Sequence, residues 1–208
     1  MKISKQTFHP WHGVSPGEES PKVVNAFIEI VPTDSVKYEI DKESGILKVD
    51  RPQKFSNRVP ALYGFVPQTY CGEKIAEYCS LQSGEQVLEG DGDPLDICIF
   101  TEFNIAHGNI LLQAIPIGGL RLIDKGQADD KIIAVFVHDE SYKTWKDISD
   151  CPTHILDRLK HYFLTYKNLP GSDSPTCRIE NIYGREEALE VIRRSQEDYK
   201  NKFKTGSL

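Results

Sequence analysis

A chain of 208 residues, 39% hydrophobic and 10% aromatic, is long enough to bury one good core and short for two full domains. Its formal net charge of -6 argues against a general nucleic-acid binder, which carries a basic face, so an anionic ligand must be drawn by local positive charge or by bound metal. The five cysteines (Cys71, Cys79, Cys98, Cys151, Cys177) are odd in number and lack C-x-x-C spacing, which reads as free thiols in a reducing compartment; with no apolar signal core in MKISKQTFHPWHG and no apolar run long enough for a bilayer, a soluble cytoplasmic protein is expected.

Residues 1–22 mix Pro, Gly, Ser and His without apolar periodicity and read as an N-terminal arm, leaving 23–208 as a single domain. Within the arm, His9, Trp11 and His12 fit an aromatic anchor better than a metal site, because no further ligand stands at a metal-binding spacing. AFIEIV, VKYEID and ILKVDR, between Asn25 and Arg51, predict three short strands, the last two joined at the Glu43-Ser44-Gly45 turn. The 64–90 stretch carries Pro67, Gly72, Gly84 and Gly90 among polar residues and predicts an extended connection with little regular structure. PLDICIF, NILLQAIPIGGLRLID and KIIAVFV are apolar, β-branched runs that add further strands, and so many short strands in succession predict a small closed barrel. The period then changes. Ile155, Leu156, Leu159, Tyr162, Phe163 and Tyr166 recur at helical spacing behind Pro152, and REEALEVIRRSQEDYKNKF puts Leu189, Ile192, Tyr199 and Phe203 on one side of a second helix. The expected architecture is mainly β with flanking helices, an α+β fold.

Asp91, Asp93 and Asp96 in EGDGDPLDICIF place three carboxylates within six positions at the entry to an apolar strand. Carboxylates this close raise one another's pKa, and a divalent cation would relieve them; oxygen-only ligands point to magnesium or manganese. Gly92 and Pro94 supply the bend that lets Asp96 join the other two. A solvated turn is the rival for Asp91 and Asp93, but Asp96 lies in PLDICIF, where an unpaired carboxylate is costly to bury. A calcium EF-hand fails because Leu95, Asp96 and Pro94 occupy its inner positions. A second acidic group, Asp124, Asp129 and Asp130, followed by Lys131, reads either as an ordinary hairpin loop or as the completion of a multi-metal site.

Glu29 alternates with Phe27 and Val31, so it needs compensation if that face is buried; Lys37 and Glu39 share a face of their strand. Arg51 falls on the parity of Leu47 and Val49, which makes it either a snorkelling side chain or a phosphate ligand. Tyr63, Tyr166 and Lys167 are equally open to packing, solvation or binding roles.

As a set, these residues resemble the family I soluble inorganic pyrophosphatases. The signature Asp-x-Asp-Pro-x-Asp is met by Asp91, Asp93, Pro94 and Asp96, accompanied in order by IEI, KYEIDKESG, VDR, YG, PIG, DDK and HYFLTYK, over about residues 24–200. The resemblance implies a five-stranded OB-like barrel with C-terminal helices, a pyrophosphate substrate, several magnesium ions per site with manganese as a substitute, and a homo-oligomer, hexamer or smaller. It implies that Asp91, Asp96, Asp124 and Asp129 are metal ligands and that Asp93 is the general base. Lys37, Arg51, Tyr63 and Tyr166 would bind phosphate, Lys131 and Lys167 would support the same pocket, and Glu29 and Glu39 would stand at its edge. Two departures stand out. Val59 occupies the position of a second pocket tyrosine found in many bacterial members, and the connection from Tyr63 to Asp91 is longer than in the compact ones. The rival functions are an OB-type binding module without catalysis and a magnesium-dependent nucleotide phosphohydrolase.

Overall fold

A computed structural model describes residues 9–87, 89–168 and 177–204. Five strands close on themselves: β1 (Val24–Ile30), β4 (Leu62–Phe65), β5 (Asp96–Phe100), β8 (Lys131–Phe136) and β6 (Ile110–Asp124), which returns to β1. Closure depends on the length of β6. Its first residues pair antiparallel with β1 (Leu112 opposite Ala26), its middle with β8 (Gly119 opposite Ile132) and its end with β9, Cys177–Gly184 (Leu122 opposite Ile179). The register shifts between Pro116 and Gly118, where a residue without an amide N–H lets the strand bend around the ring. β5 and β8 run parallel, and a two-residue β7 (Gln127–Ala128) folds back on the end of β6.

The continuous apolar runs of β5 and β8 follow from burial on both faces. Ile97, Ile99, Ile132 and Ala134 pack with Ile75 and Ala76 of α1 (Glu73–Ser83) and Val191 and Ile192 of α3 (Arg185–Tyr199). Cys98, Phe100, Ile133 and Val135 pack instead with Leu159, Tyr162 and Phe163 of α2 (Thr153–Thr165). Each such fully buried large side chain contributes about 1.5–3 kcal/mol, so these alternating layers hold the ring closed. All five cysteines are buried free thiols. Among the described residues, no helix is long and apolar enough to cross a membrane.

Three expectations change. The 64–90 stretch holds α1 as well as the strand β4, because the helix is capped from outside itself: Gly72 offers no side-chain cap, and the Asp198 carboxylate of α3 accepts from the amides of Gly72 (3.0 Å), Lys74 (3.0 Å) and Ile75 (3.1 Å). β9 goes unrecognised in the sequence, since Arg178, Glu180 and Asn181 break its apolar pattern and only pairing with β6 makes it a strand. Finally, β2 (Val36–Ile40) and β3 (Leu47–Pro52) form a hairpin apart from the barrel, with a bulge that inserts Asp50: Tyr38 faces Val49, but Lys37 faces Arg51. The bulge moves Arg51 off the side of Leu47 and Val49, which packs Leu47 and Ile40 against the core, and onto that of Lys37.

The arm is anchored by its aromatic residues. Trp11 is buried, its indole N–H donates to the Thr69 carbonyl (2.7 Å), and His12 is hydrogen-bonded to the Tyr199 hydroxyl (2.8 Å). Burial, followed by the neighbouring His9, lowers the His12 pKa to about 4, so the ring packs neutral.

Candidate active site

The acidic loop before β5 is shaped by its backbone. Gly92 adopts φ +75°, a left-handed conformation, and donates to the Cys71 carbonyl (3.0 Å), while the Cys71 amide donates to the Asp93 carbonyl (2.8 Å). Gly90 lies so close to this segment that a Cβ would stand 2.2 Å from the Cys71 oxygen. The Asp93 amide donates to Asp91 (3.0 Å), tightening the turn. Parallel pairing of β5 with β8 then sets Asp96 directly beside Lys131, and Asp129 follows from its place two residues earlier. The Lys131 ammonium donates to both carboxylates, and the Tyr63 hydroxyl of β4 donates to Asp96 at 2.6 Å. Asp124, at the end of β6, pairs with Lys167 just past α2.

The hairpin closes the other wall. Lys37 donates to Glu39 (2.8 Å) and to Asp50 (3.0 Å), and Arg51 pairs with Asp50. Glu29 of β1 accepts the Ile40 amide at 2.7 Å. These elements enclose a cavity of about 260 Å³ lined by Lys37, Arg51, Tyr63, Asp91, Asp93, Asp96, Asp124, Asp129, Lys131, Tyr166 and Lys167. Glu29 and Glu39 line a smaller adjoining space of about 90 Å³ that shares Lys37, Tyr63, Asp93 and Asp96. The residues to which the resemblance gives a site role therefore all line one connected region. Asp130 is the exception within its acidic group and points away, toward Arg121.

Burial and like charge perturb the region strongly. The Asp91 carboxyl is pushed well above its ordinary value by burial and then by the Asp129 carboxylate beside it. Glu29 is raised to about 8 by burial and then by Asp96. Burial alone would lower the Lys131 ammonium, but Asp129 and Asp96 outweigh it and hold the pKa well above the usual lysine value. Such crowding marks a functional site.

The donor set fits hard divalent cations. The Asp91 and Asp129 carboxyls are within hydrogen-bonding reach of each other, one Asp124 oxygen is buried without a hydrogen-bond partner, and every candidate ligand is an oxygen. Among the described residues, no three acidic, imidazole or thiol groups meet around one point; ammonium groups of Lys131, Lys167 and Lys42 stand against the carboxylates instead. The cavity wall carries five cations (Lys37, Arg51, Lys125, Lys131, Lys167) and five carboxylates (Asp91, Asp93, Asp96, Asp124, Asp129). That balance allows it to receive metal ions and a polyanion together.

A model of the inorganic pyrophosphatase family matches residues 26–200, nearly the whole chain. The chain belongs to the inorganic pyrophosphatase family. It is 55% identical over 199 residues to an inorganic pyrophosphatase of Chlamydia muridarum, covering 94% of this chain and 95% of that one. It is 35% identical over 191 residues to soluble inorganic pyrophosphatase 1 of Arabidopsis thaliana, covering 92% and 80%. The solved inorganic pyrophosphatase of Thermus thermophilus superposes with a TM-score of 0.75 at 27% identity, over 90% of this chain and 97% of that one. The five-stranded ring is thus the OB-like barrel of the inorganic pyrophosphatases.

For this member of the family, the structure adds residues that sequence reasoning passed over. Asp50 holds both Lys37 and Arg51, and only the bulge, which has no sequence mark, reveals it. Tyr162 lines the cavity one helical turn before Tyr166, the two rings stacked with centroids 5.3 Å apart; its apolar neighbours in α2 had made it read as core. Lys42 pairs with Asp93 at the mouth. Val59 is buried beneath α2 in the core rather than at the cavity wall.

Proposed function

We propose that this chain hydrolyses inorganic pyrophosphate to two orthophosphates, with magnesium held by Asp91, Asp96, Asp124 and Asp129. The observation that carries the proposal is the single cavity in which these four carboxylates face Lys37, Arg51, Lys131, Lys167 and the phenols of Tyr63 and Tyr166. Bound magnesium ions would neutralise the anhydride and acidify the attacking water. Asp93, with its side chain 45% exposed at the mouth while Asp129 is buried, would accept that water's proton. Arg51, set on Lys37's face by the bulge, offers a planar fork to phosphate oxygens, and Lys37 adds a point charge beside it. Tyr63 and Tyr166, both packed against Phe163, present their phenols to the cavity, and Lys131 and Lys167, now engaged by carboxylates, would be free to face phosphate if cations took those oxygens. Glu29 and Glu39 hold the edge, Glu29 by fixing the Ile40 amide and Glu39 by orienting Lys37.

Five free buried thiols suit a reducing, cytoplasmic setting. We read residues 23–208 as one catalytic domain onto which the arm is pinned, and the protein as a homo-oligomer, hexamer or smaller, which light scattering would measure. The decisive assay is phosphate release from pyrophosphate and, separately, from ATP, with magnesium, with EDTA, and with magnesium restored. Release from pyrophosphate that disappears with EDTA and returns with magnesium is expected; full activity in metal-free buffer, or a preference for ATP, would overturn the proposal.

A further inference from the structure

Asp129, Asp130 and Lys131 lead into β8 with alternating side chains. Asp129 and Lys131 line the cavity, whereas Asp130 turns to the opposite side and is 2% exposed. There one of its oxygens accepts from Arg121 of β6 (3.3 Å) and from the Tyr183 hydroxyl of β9 (3.1 Å). Arg121 is 1% exposed and also donates to Glu187 of α3 (2.7 Å), and its guanidinium carbon lies 5.4 Å and 5.0 Å from the ring centroids of Tyr78 in α1 and Tyr183. Four elements, β6, β9, α1 and α3, thus meet around Arg121, which with Tyr183 holds a carboxylate whose two chain neighbours are both in the site.

We infer that Arg121 is a positioning residue for hydrolysis, acting through Asp130 to orient Asp129 and Lys131; the inference rests on the proposed role of Asp129 as a magnesium ligand. The second Asp130 oxygen is buried without a hydrogen-bond partner, so Arg121 carries most of the compensation for its charge. A buried carboxylate that loses its cation is driven toward other polar partners or water. Because successive strand side chains point to opposite faces, a shift of Asp130 turns its neighbours Asp129 and Lys131 with it. The disturbance also reaches the first acidic loop: the Asp129 amide donates to the Leu122 carbonyl (3.0 Å), and the Asp91 amide donates to the Ala128 carbonyl (3.3 Å).

A purely structural or purely Coulombic role makes a different forecast. Removing a cation near a metal site should, by charge alone, tighten magnesium binding. Loss of positioning should weaken it. The test compares Arg121→Met, Arg121→Lys, the double variant Arg121→Met/Asp130→Asn and Asp129→Asn in the full chain. Magnesium is titrated twice, by its half-saturating concentration in pyrophosphate hydrolysis and by calorimetry on substrate-free protein. Arg121→Met is expected to weaken magnesium about tenfold in both, and Arg121→Lys by about threefold, since one ammonium cannot reach both Asp130 and Glu187. The double variant should recover part of the loss because no uncompensated charge remains. If Arg121→Met does not fold, Arg121→Lys carries the comparison. Magnesium binding equal to or tighter than the parent's in the folded Arg121 variants, or a double variant no better than Arg121→Met, would overturn the inference. Unchanged magnesium dependence in Asp129→Asn would instead remove the metal-ligand reading beneath it.

Discussion

Asp198→Ala tests how the helix between the β4 strand and the acidic loop is held. The carboxylate accepts three backbone amides at the start of α1, at 3.0, 3.0 and 3.1 Å, and nothing within α1 replaces it, since Gly72 offers no side-chain cap. Ile75 is 2% exposed, so its amide would be left unsatisfied away from water, at about 1–3 kcal/mol. Gly72 and Lys74 are half-buried and recover hydration more easily, which leaves the ordinary loss of an N-cap, about 0.5–2 kcal/mol. Together these give about 3 kcal/mol, and at about 2–4 °C per kcal/mol for a chain of this size, Tm should fall by about 6–12 °C. Asp198→Asn keeps one acceptor oxygen and should lose about half as much. Urea and thermal unfolding of the EDTA-treated protein measure both, and limited proteolysis should show new cleavage within residues 66–90. A loss below about 0.5 kcal/mol for Asp198→Ala would refute the idea that α1 is capped from α3.

Asp93→Asn should lower kcat by on the order of 10²-fold with little change in magnesium affinity, whereas Asp96→Asn should weaken magnesium binding so that added metal restores part of the rate. Rate against magnesium concentration separates them, and indistinguishable curves would refute the division of roles. Arg51→Lys should reduce kcat/KM by about tenfold or more, about 1.4 kcal/mol of lost transition-state binding, because the fork is lost while the charge remains; unchanged kinetics would return Arg51 to a surface role. Glu29 supplies a pH test. The folded carboxyl keeps its proton to about pH 8 and the unfolded one releases it near 4.5, so its contribution is complete at low pH and is lost as pH rises between those values. Stability of the metal-free parent should therefore fall across pH 5–8, by up to about 1.4 kcal/mol per unit from this group, and Glu29→Gln should flatten the fall. Equal slopes in denaturant titrations would contradict a neutral buried Glu29.

Read alone, the sequence determined the elements whose physics is local. Alternating or continuous apolar runs marked β1, β5, β6 and β8, a helical period marked α2 and α3, and three carboxylates around Gly92 and Pro94 marked an acidic loop at the entry to β5. Through the family resemblance it also picked out residues that the structure gathers around one cavity, whereas side-chain type and period alone left Arg51, Tyr63, Tyr166 and Lys167 open to packing or solvation. Tertiary structure decided what depends on partners distant in the chain. α1 exists because Asp198 caps it from 126 positions away, and β9 because β6 offers a free edge. Asp50 bulges because two strands pair out of step, and that puts Arg51 beside Lys37. Asp129 and Asp130, adjacent and chemically alike, part company because strand geometry sends one to the cavity and the other to Arg121. Periodicity reports how a segment meets water; it carries no information about which distant carboxylate, strand edge or guanidinium will meet it, and those encounters set the geometry of this site.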